Sequence, residues 1–298
     1  MGSIVGGAIV GHVPTVMIDE SIRRRLGGGD DTTLVAGFAA LRARLDAAGV
    51  DTLVLIDTHW FTTSEHIVAG QEHHRGVYTS EELPIVIREL EYDYPGAPEL
   101  AERIQTIGRA DGHRVLNATS TAIAHHYPTL NVVHHLRWDR RVLSTGVCQT
   151  ADDQDFLGFG ASIAAAVAAG DERVAIIASG GLSHRFWPLR EFLDHSSFDP
   201  SHVRTPEARA FDERMITLML QGRHAEIIDA WPDYRQFAPE GKFGHYLTMA
   251  GALGGRDWTD PGEQLSAYEN SYGTGQVHVW FPRTSNDRTP IDTNGASR

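Results

Sequence analysis

Four side chains in this sequence, His12, His59, His184 and Glu240, have the types and settings from which a metal centre could be built. His12 lies in GHVPT, directly after an apolar run at 4–10. His59 lies in DTHW after a second run at 52–57, and His184 in SGGLSHRF after a third at 173–178. In an α/β protein the loops after the carboxyl ends of the strands build the binding crevice, so the three imidazoles fall at one edge of one sheet. Glu240, in PEGKFGHY, is the candidate carboxylate to join them. Two histidines and a carboxylate suit non-haem Fe(II) and leave coordination positions open for substrate and O2. Spacing alone leaves alternatives. A single histidine in such a loop is more often a hydrogen-bonded structural residue than a ligand. Glu240, between Pro239 and Gly241, reads on spacing as a carboxylate near the start of the helix that begins at Phe243. His59 is the stronger member, because Asp57 is an acid that could orient its imidazole and Trp60 a bulky wall. His184 follows Ser179, Gly180 and Gly181, where glycines allow close backbone approach to a ligand. Its imidazole could take and give a proton near neutrality, or be tied to backbone.

The remaining histidines are ranked by their surroundings. His73 and His74 sit in a polar stretch and His202 and His224 among charged residues, so all four are expected at the surface. His134 and His135 are expected on a helix, partly exposed. The cluster His125, His126, Tyr127, Pro128 reads either way. Gly273-Thr274-Gly275 lacks the full phosphate-loop pattern and reads as a hairpin turn. GxSxG, Walker A, HExxH and CxxC patterns are absent.

These residues need a sheet to hold them, and the chain supplies its pattern. Strand-like apolar runs at 4–10, 52–56, 66–69, 114–116, 141–147, 173–178 and 277–281 alternate with helical spacing at 32–48, 98–108, 129–136, 155–169, 206–221 and 243–253. Alternation of this kind argues one α/β domain with a central sheet. Gly27 to Gly29 is expected to be a flexible connection before the first helix. The segment 195–204 is expected to be a loop, either a lid over the site or a surface excursion. The stretch 283–298 is polar, with Ile291 its one strongly apolar residue, and reads as a mobile tail after a domain at 1–282.

Composition excludes several function classes. The 298 residues carry 26 basic and 39 acidic side chains, a net charge of −13, which argues against nucleic acid or an anionic membrane as partner. No apolar run reaches the roughly 20 residues of a membrane span, and no secretory signal pattern opens the chain. A single cysteine, Cys148, in a buried strand, excludes an internal disulfide and fits a reducing cytoplasm.

The segments HVPT (12–15), DTHW (57–60), GVYTSEELP (76–84), SGGLSHRF (179–186), EGKF (240–243) and GTGQV (273–277) together resemble the class III, LigB-type extradiol ring-cleavage dioxygenases, over nearly the whole chain except the tail. The resemblance is greatest to the homoprotocatechuate 2,3-dioxygenases within that superfamily. It implies a LigB-like α/β fold, a single domain with a central mixed sheet flanked by helices. It implies a mononuclear Fe(II) held by His12, His59 and Glu240, with His184 as the acid/base residue. The family's further catalytic position falls on Tyr127, where His126 and Pro128 replace the usual acid and glycine. The implied reaction opens the ring of a substituted catechol, a small aromatic diol, with O2, giving a semialdehyde-type product. The implied state is a homo-oligomer. An aminophenol or dihydroxypyridine is the alternative substrate class on the same iron site. A metal-binding homologue without catalysis and a zinc hydrolase are the alternatives from other classes. Arg185 is a candidate partner for a substrate carboxylate, or an exposed structural arginine.

Overall fold

The computed structural model describes residues 1–283, and the expected tail lies, apart from Arg283, outside the described residues. Among the described residues, twelve strands and eight α-helices follow one another in the order β1 (Ser3–Val10), α1 (Glu20–Leu26), α2 (Thr33–Ala47), β2 (Thr52–Thr62), β3 (His66–Ala69), β4 (His73–Tyr78), β5 (Leu90–Pro95), α3 (Pro98–Ala110), β6 (Val115–Ala118), α4 (Tyr127–Leu136), β7 (Arg141–Cys148), α5 (Asp153–Ala168), β8 (Arg173–Ser179), α6 (Pro206–Leu220), α7 (His224–Tyr234), α8 (Gly244–Leu253), β9 (Glu263–Gln264), β10 (Glu269–Ser271), β11 (Thr274–Gln276) and β12 (Val279–Pro282). Eight strands form one mixed sheet in the order β6-β3-β7-β2-β8-β1-β12-β9. Its centre is parallel, with β2 between β7 and β8 and β1 beside β8. On the far side of β1, β12 runs antiparallel. This is the expected single α/β domain with a central mixed sheet flanked by helices.

The central strands are apolar on consecutive residues because both faces of the sheet are covered. Leu53 and Leu55 of β2 pack with Phe38, Leu41 and Leu45 of α2 and Leu130 of α4. Val54 and Ile56, one residue out of phase, pack with Ile104 of α3, Phe159 and Ile163 of α5 and Leu247 of α8. Period-two alternation thus divides one strand between two cores, giving helices on both sides of the sheet.

The register brings the site together. Val10 at the end of β1 pairs with Ser179 at the end of β8, and Ser179 pairs with Asp57 on β2. The residues that follow these three points emerge at one level on one edge. Beyond Asp57 the pairing of β2 with β7 slips, so that Phe61 rather than residue 58 meets Val147. Thr58, His59 and Trp60 therefore bulge from the ladder, and β2 runs on to Thr62 instead of ending at Asp57. Bulges re-aim side chains in this way beside functional sites.

Several expectations change. His74 is buried, because it alternates with exposed His73 along β4 and lies on Tyr94 with ring centroids 4.9 Å apart. His224 is fully buried at the start of α7, stacked on Trp258 at 3.4 Å, while its charged neighbours Arg223 and Glu226 bond each other in solvent. Both were expected at the surface. Gly27 to Gly29 joins α1 to α2 rather than preceding the first helix. The hairpin expected at 273–275 is present, with Tyr272 and Gly273 as its turn and Thr274 and Gly275 already in β11, paired with Ser271 and Asn270.

Candidate metal centre

His12, His59 and Glu240 come together from three chain segments, each offering one ligand atom, with these atoms all within 4.8 Å of one another. His12 Nε2 and His59 Nε2 both face Glu240 Oε1, each at 3.2 Å. Two imidazole nitrogens aimed at one carboxylate oxygen need a cation or a proton among them. A divalent metal accepts all three as ligands and leaves further positions open.

Each of the three side chains is held from behind. His12 Nδ1 lies 3.0 Å from Ser179 Oγ, and the His12 carbonyl accepts from Asn131 Nδ2 at 2.8 Å, so ring and backbone are both fixed and Nε2 faces the site. Ser179 is the β8 residue that the sheet register sets beside Val10. Glu82 Oε2 faces His59 Nδ1 at 3.5 Å, which favours a proton on Nδ1 and leaves the Nε2 lone pair for a metal. Glu240 receives Thr58 Oγ1 at 2.7 Å on one oxygen and the Gly181 amide at 2.5 Å on the other. Burial would push the Glu240 carboxyl up, but the facing His12 and His184 and the bonds to His12 and His59 outweigh it and hold the group well below the usual carboxylate range. Burial pulls His59 down, but Glu240, Asp57 and Glu82 together lift it above its ordinary value.

The backbone that aims Glu240 is unusual. Gly241, Lys242 and Phe243 occupy the left-handed region in succession, with φ of 54°, 57° and 60°. Non-glycine residues there cost of order 1–2 kcal/mol each. The surroundings hold them: Lys242 Nζ donates to the Gln149 and Ala151 carbonyls at 2.8 and 2.6 Å, and Phe243 is fully buried against Tyr246. This turn replaces the helix-cap role that spacing favoured for Glu240: α8 begins four residues on, and the carboxylate points at the two histidines.

His184 stands one step outside the trio, with Nε2 3.8 Å from Glu240 Oε2. Burial lowers its pKa, against the pull of Glu240 and with the help of His12 and His59, so the ring is a neutral base at neutral pH. The residue before it, Ser183, is anchored by a carboxylate that sequence reasoning did not single out. Asp212 of α6 is fully buried and accepts from the Ser183 amide (3.0 Å), Ser183 Oγ (2.6 Å), Tyr234 OH (2.6 Å) and Tyr268 OH (2.6 Å). Desolvation nonetheless raises its pKa to about 6, the four bonds acting in the opposite sense. Gly275 must be glycine here, since a Cβ would run into the Asp212 carboxylate and the Tyr268 hydroxyl.

Tyr127 OH lies 3.0 Å from His59 Nε2. Burial and the Glu240 charge push the phenol far up, so it stays protonated and can donate. His126 and His125 line a polar cavity of about 460 Å³ on the His59 side, together with Tyr78 and Tyr92. Asp57 does not touch the His59 ring as expected. Its Oδ1 accepts the amides of His59 and Trp60, at 2.9 and 3.2 Å, and its Oδ2 the Thr129 amide and hydroxyl, pinning the bulge to the first turn of α4. Of the residues missed, Thr58 lay in the DTHW segment and Glu82 in GVYTSEELP. Ser179 is recoverable only from register, and Asp212 only from the packing of α6 and α7.

On the other side of the trio lies a cavity of about 390 Å³, opening on His12, Glu240, His184 and Tyr127 and walled by apolar side chains. The segment 195–204 does not cover it. Phe192 and Leu189, just before that segment, form part of its wall.

Residues 6–282 match the family described as the catalytic LigB subunit of aromatic ring-opening dioxygenase. The chain is 29% identical over 283 residues to a 3,4-dihydroxyphenylacetate 2,3-dioxygenase of Escherichia coli, a match covering 93% of this chain and 99% of the relative. It is 26% identical over 293 residues to a 2-aminophenol 1,6-dioxygenase beta subunit of Pseudomonas sp, covering 93% of each. Among solved structures, an uncharacterized protein of Escherichia coli K12 shares the fold with a TM-score of 0.64 at 18% identity, covering 93% of this chain and 99% of that one.

Proposed function

We propose, for a chain that belongs to the LigB family of catalytic subunits of aromatic ring-opening dioxygenases, that it opens the ring of a substituted catechol at an Fe(II) held by His12, His59 and Glu240. The chain is a ring-cleaving dioxygenase, an oxidoreductase, by family. The observation that carries the finer reading is the convergence of two imidazole nitrogens on one carboxylate oxygen at 3.2 Å each, with a neutral histidine 3.8 Å from the other oxygen. When bound, Fe(II) supplies paired coordination for the two diol oxygens and an electronic link between the electron-rich ring and O2.

The chain's own residues do the rest. His184, neutral at the start, accepts the proton that a diol hydroxyl loses on binding and later returns a proton to oxygen. Tyr127, protonated throughout, donates a hydrogen bond toward the substrate beside His59. The apolar cavity excludes bulk water, which strengthens both interactions. Both oxygen atoms of O2 end in the ring-opened product, so no external reductant enters. Cys148, buried and free, and the need to keep iron ferrous favour the cytoplasm as the place of action. No helix among the described residues is long and apolar enough to cross a membrane. A homo-oligomer is the proposed assembly, supported by the large apolar side chains left exposed at Ile85 and Leu193. Light scattering gives the mass that tests it.

A second reading takes an aminophenol in place of the catechol, and the 26% relative is its support. The test is a substrate panel: anaerobic loading with Fe(II), then catechols, 2-aminophenols or pyridinediols, then air. The reading expects a coloured ring-opened product and O2 uptake with a catechol above the rest. Turnover confined to aminophenols establishes the second reading. Full iron occupancy without turnover on any of them overturns both.

A further inference from the structure

We infer that the substrate's ring carries an uncharged apolar arm rather than a carboxylate-bearing one; the inference rests on ring opening at the His12, His59 and Glu240 site. The cavity of about 390 Å³ that opens on His12, Glu240 and His184 is where a ring bound at those residues extends. Its wall is built from Ile18, Leu83, Val86, Phe186, Leu189 and Phe192. Phe192 is held flat against Tyr272, with ring centroids 4.1 Å apart and planes 2° from parallel. Phe186 and Leu189 are 50% and 92% exposed, a large apolar rim that a bound arm would cover.

Charge decides against an acid. Among the described residues no lysine or arginine lines this cavity or the polar one across the site. Besides Glu240, the one carboxylate on its wall is Glu82, which has the sign that repels an acidic arm. Two neighbouring arginines are committed elsewhere. Arg185, one residue from His184, turns away and donates to the Gln236 carbonyl at 2.7 Å. Arg23 grips Asp31 through two bonds, at 2.7 and 2.9 Å. A carboxylate brought into this wall would lose hydration and find no lysine or arginine to pair with, whereas an alkyl arm gains about fourfold in affinity per buried methylene. The chain thereby departs from its 29% relative, whose named substrate bears a carboxylate.

The test compares 4-propylcatechol with 3,4-dihydroxyphenylacetate on the full-length Fe(II)-loaded protein. Dissociation constants come from anaerobic quenching of tryptophan fluorescence, Trp187 being part of the wall, and kcat/KM from O2 uptake. The expected result is a preference of at least tenfold for 4-propylcatechol in both measurements. Equal or tighter binding of 3,4-dihydroxyphenylacetate overturns the inference. If neither compound is turned over, the proposed reaction fails, and the fluorescence titration still decides which arm the cavity accepts. Leu189→Arg is the complementary variant: it should shift the ratio of the two dissociation constants at least tenfold toward the acid, and an unmoved ratio counts against this wall as the arm's binding surface.

Discussion

Replacing Asp212 tests whether a buried carboxylate sets the loop that carries His184. Asp212→Ala leaves three buried donors, the Ser183 amide and hydroxyl and the Tyr234 hydroxyl, and the half-buried Tyr268 hydroxyl without an acceptor. At about 1–3 kcal/mol for each buried group left unsatisfied, the loss is at least about 3 kcal/mol, a large share of a domain's stability. Asp212→Asn behaves differently. One oxygen keeps the Ser183 amide and Tyr234, and the new NH2 faces two hydroxyls that can rotate to accept. The pH dependence isolates the charge. The folded-state pKa is raised from 3.8 to about 6, so the neutral acid stabilises the fold fully below 3.8 and that stability is lost as pH rises to about 6. A shift of 2.2 corresponds to about 3 kcal/mol, of which about 2 fall between about pH 4.5 and about pH 7.5. Urea unfolding of wild type and Asp212→Asn across that range reads the difference directly, since every other titrating group cancels. Wild type should lose about 2 kcal/mol relative to the variant as pH rises. A flat difference, or one of opposite sign, would refute the desolvated carboxylate. Asp212→Asn, which keeps the Ser183 amide, should hold iron content and kcat near wild type, whereas kcat should fall in Asp212→Ala, where Ser183 no longer fixes His184.

His184→Ala should keep its iron and lose about 10²–10⁴ in kcat; loss of iron from this variant would make His184 a ligand. His224, whose pKa burial lowers to about 4, is the acid-sensitive group on the opposite side of the argument. Its neutral form stabilises the fold above pH 6.5, and that stability is lost as pH falls toward 4, about 2 kcal/mol of it between about pH 7 and about pH 5. The unfolding free energy of wild type minus His224→Phe should show that slope, and a constant difference would contradict it. Gly241→Ala forces a Cβ into the left-handed region and within 2.8 Å of Thr58 Cγ2. It should cost about 1–2 kcal/mol and weaken Fe(II) binding through Thr58 and Glu240, whereas unchanged melting and iron affinity would speak against strain at this turn.

The sheet was legible because its central strands carry near-continuous apolar runs. Those runs located β1, β2, β7 and β8, and His12, His59 and His184 stand just beyond the runs of β1, β2 and β8. The place of Glu240 beside the two histidines was not legible from spacing. It depends on three successive left-handed residues, Gly241 to Phe243, that only their tertiary partners sustain. His74 and His224 were misplaced because charged neighbours dominate a reading by composition, while burial is decided residue by residue along a strand or around a helix. Asp212 stayed hidden for a similar reason. Its partners come from three segments far apart in sequence, and nothing local to PEARAFDERM distinguishes it from the surface acids beside it.

The central claim is that His12, His59 and Glu240 form the iron site. Anaerobic Fe(II) titration with metal analysis of the desalted protein tests it most directly, on wild type and on His12→Ala, His59→Ala and Glu240→Ala. The account predicts about one Fe(II) per chain in wild type and, with two of three ligands remaining, at least about tenfold weaker binding in each variant. Full iron occupancy with wild-type affinity in Glu240→Ala would contradict it.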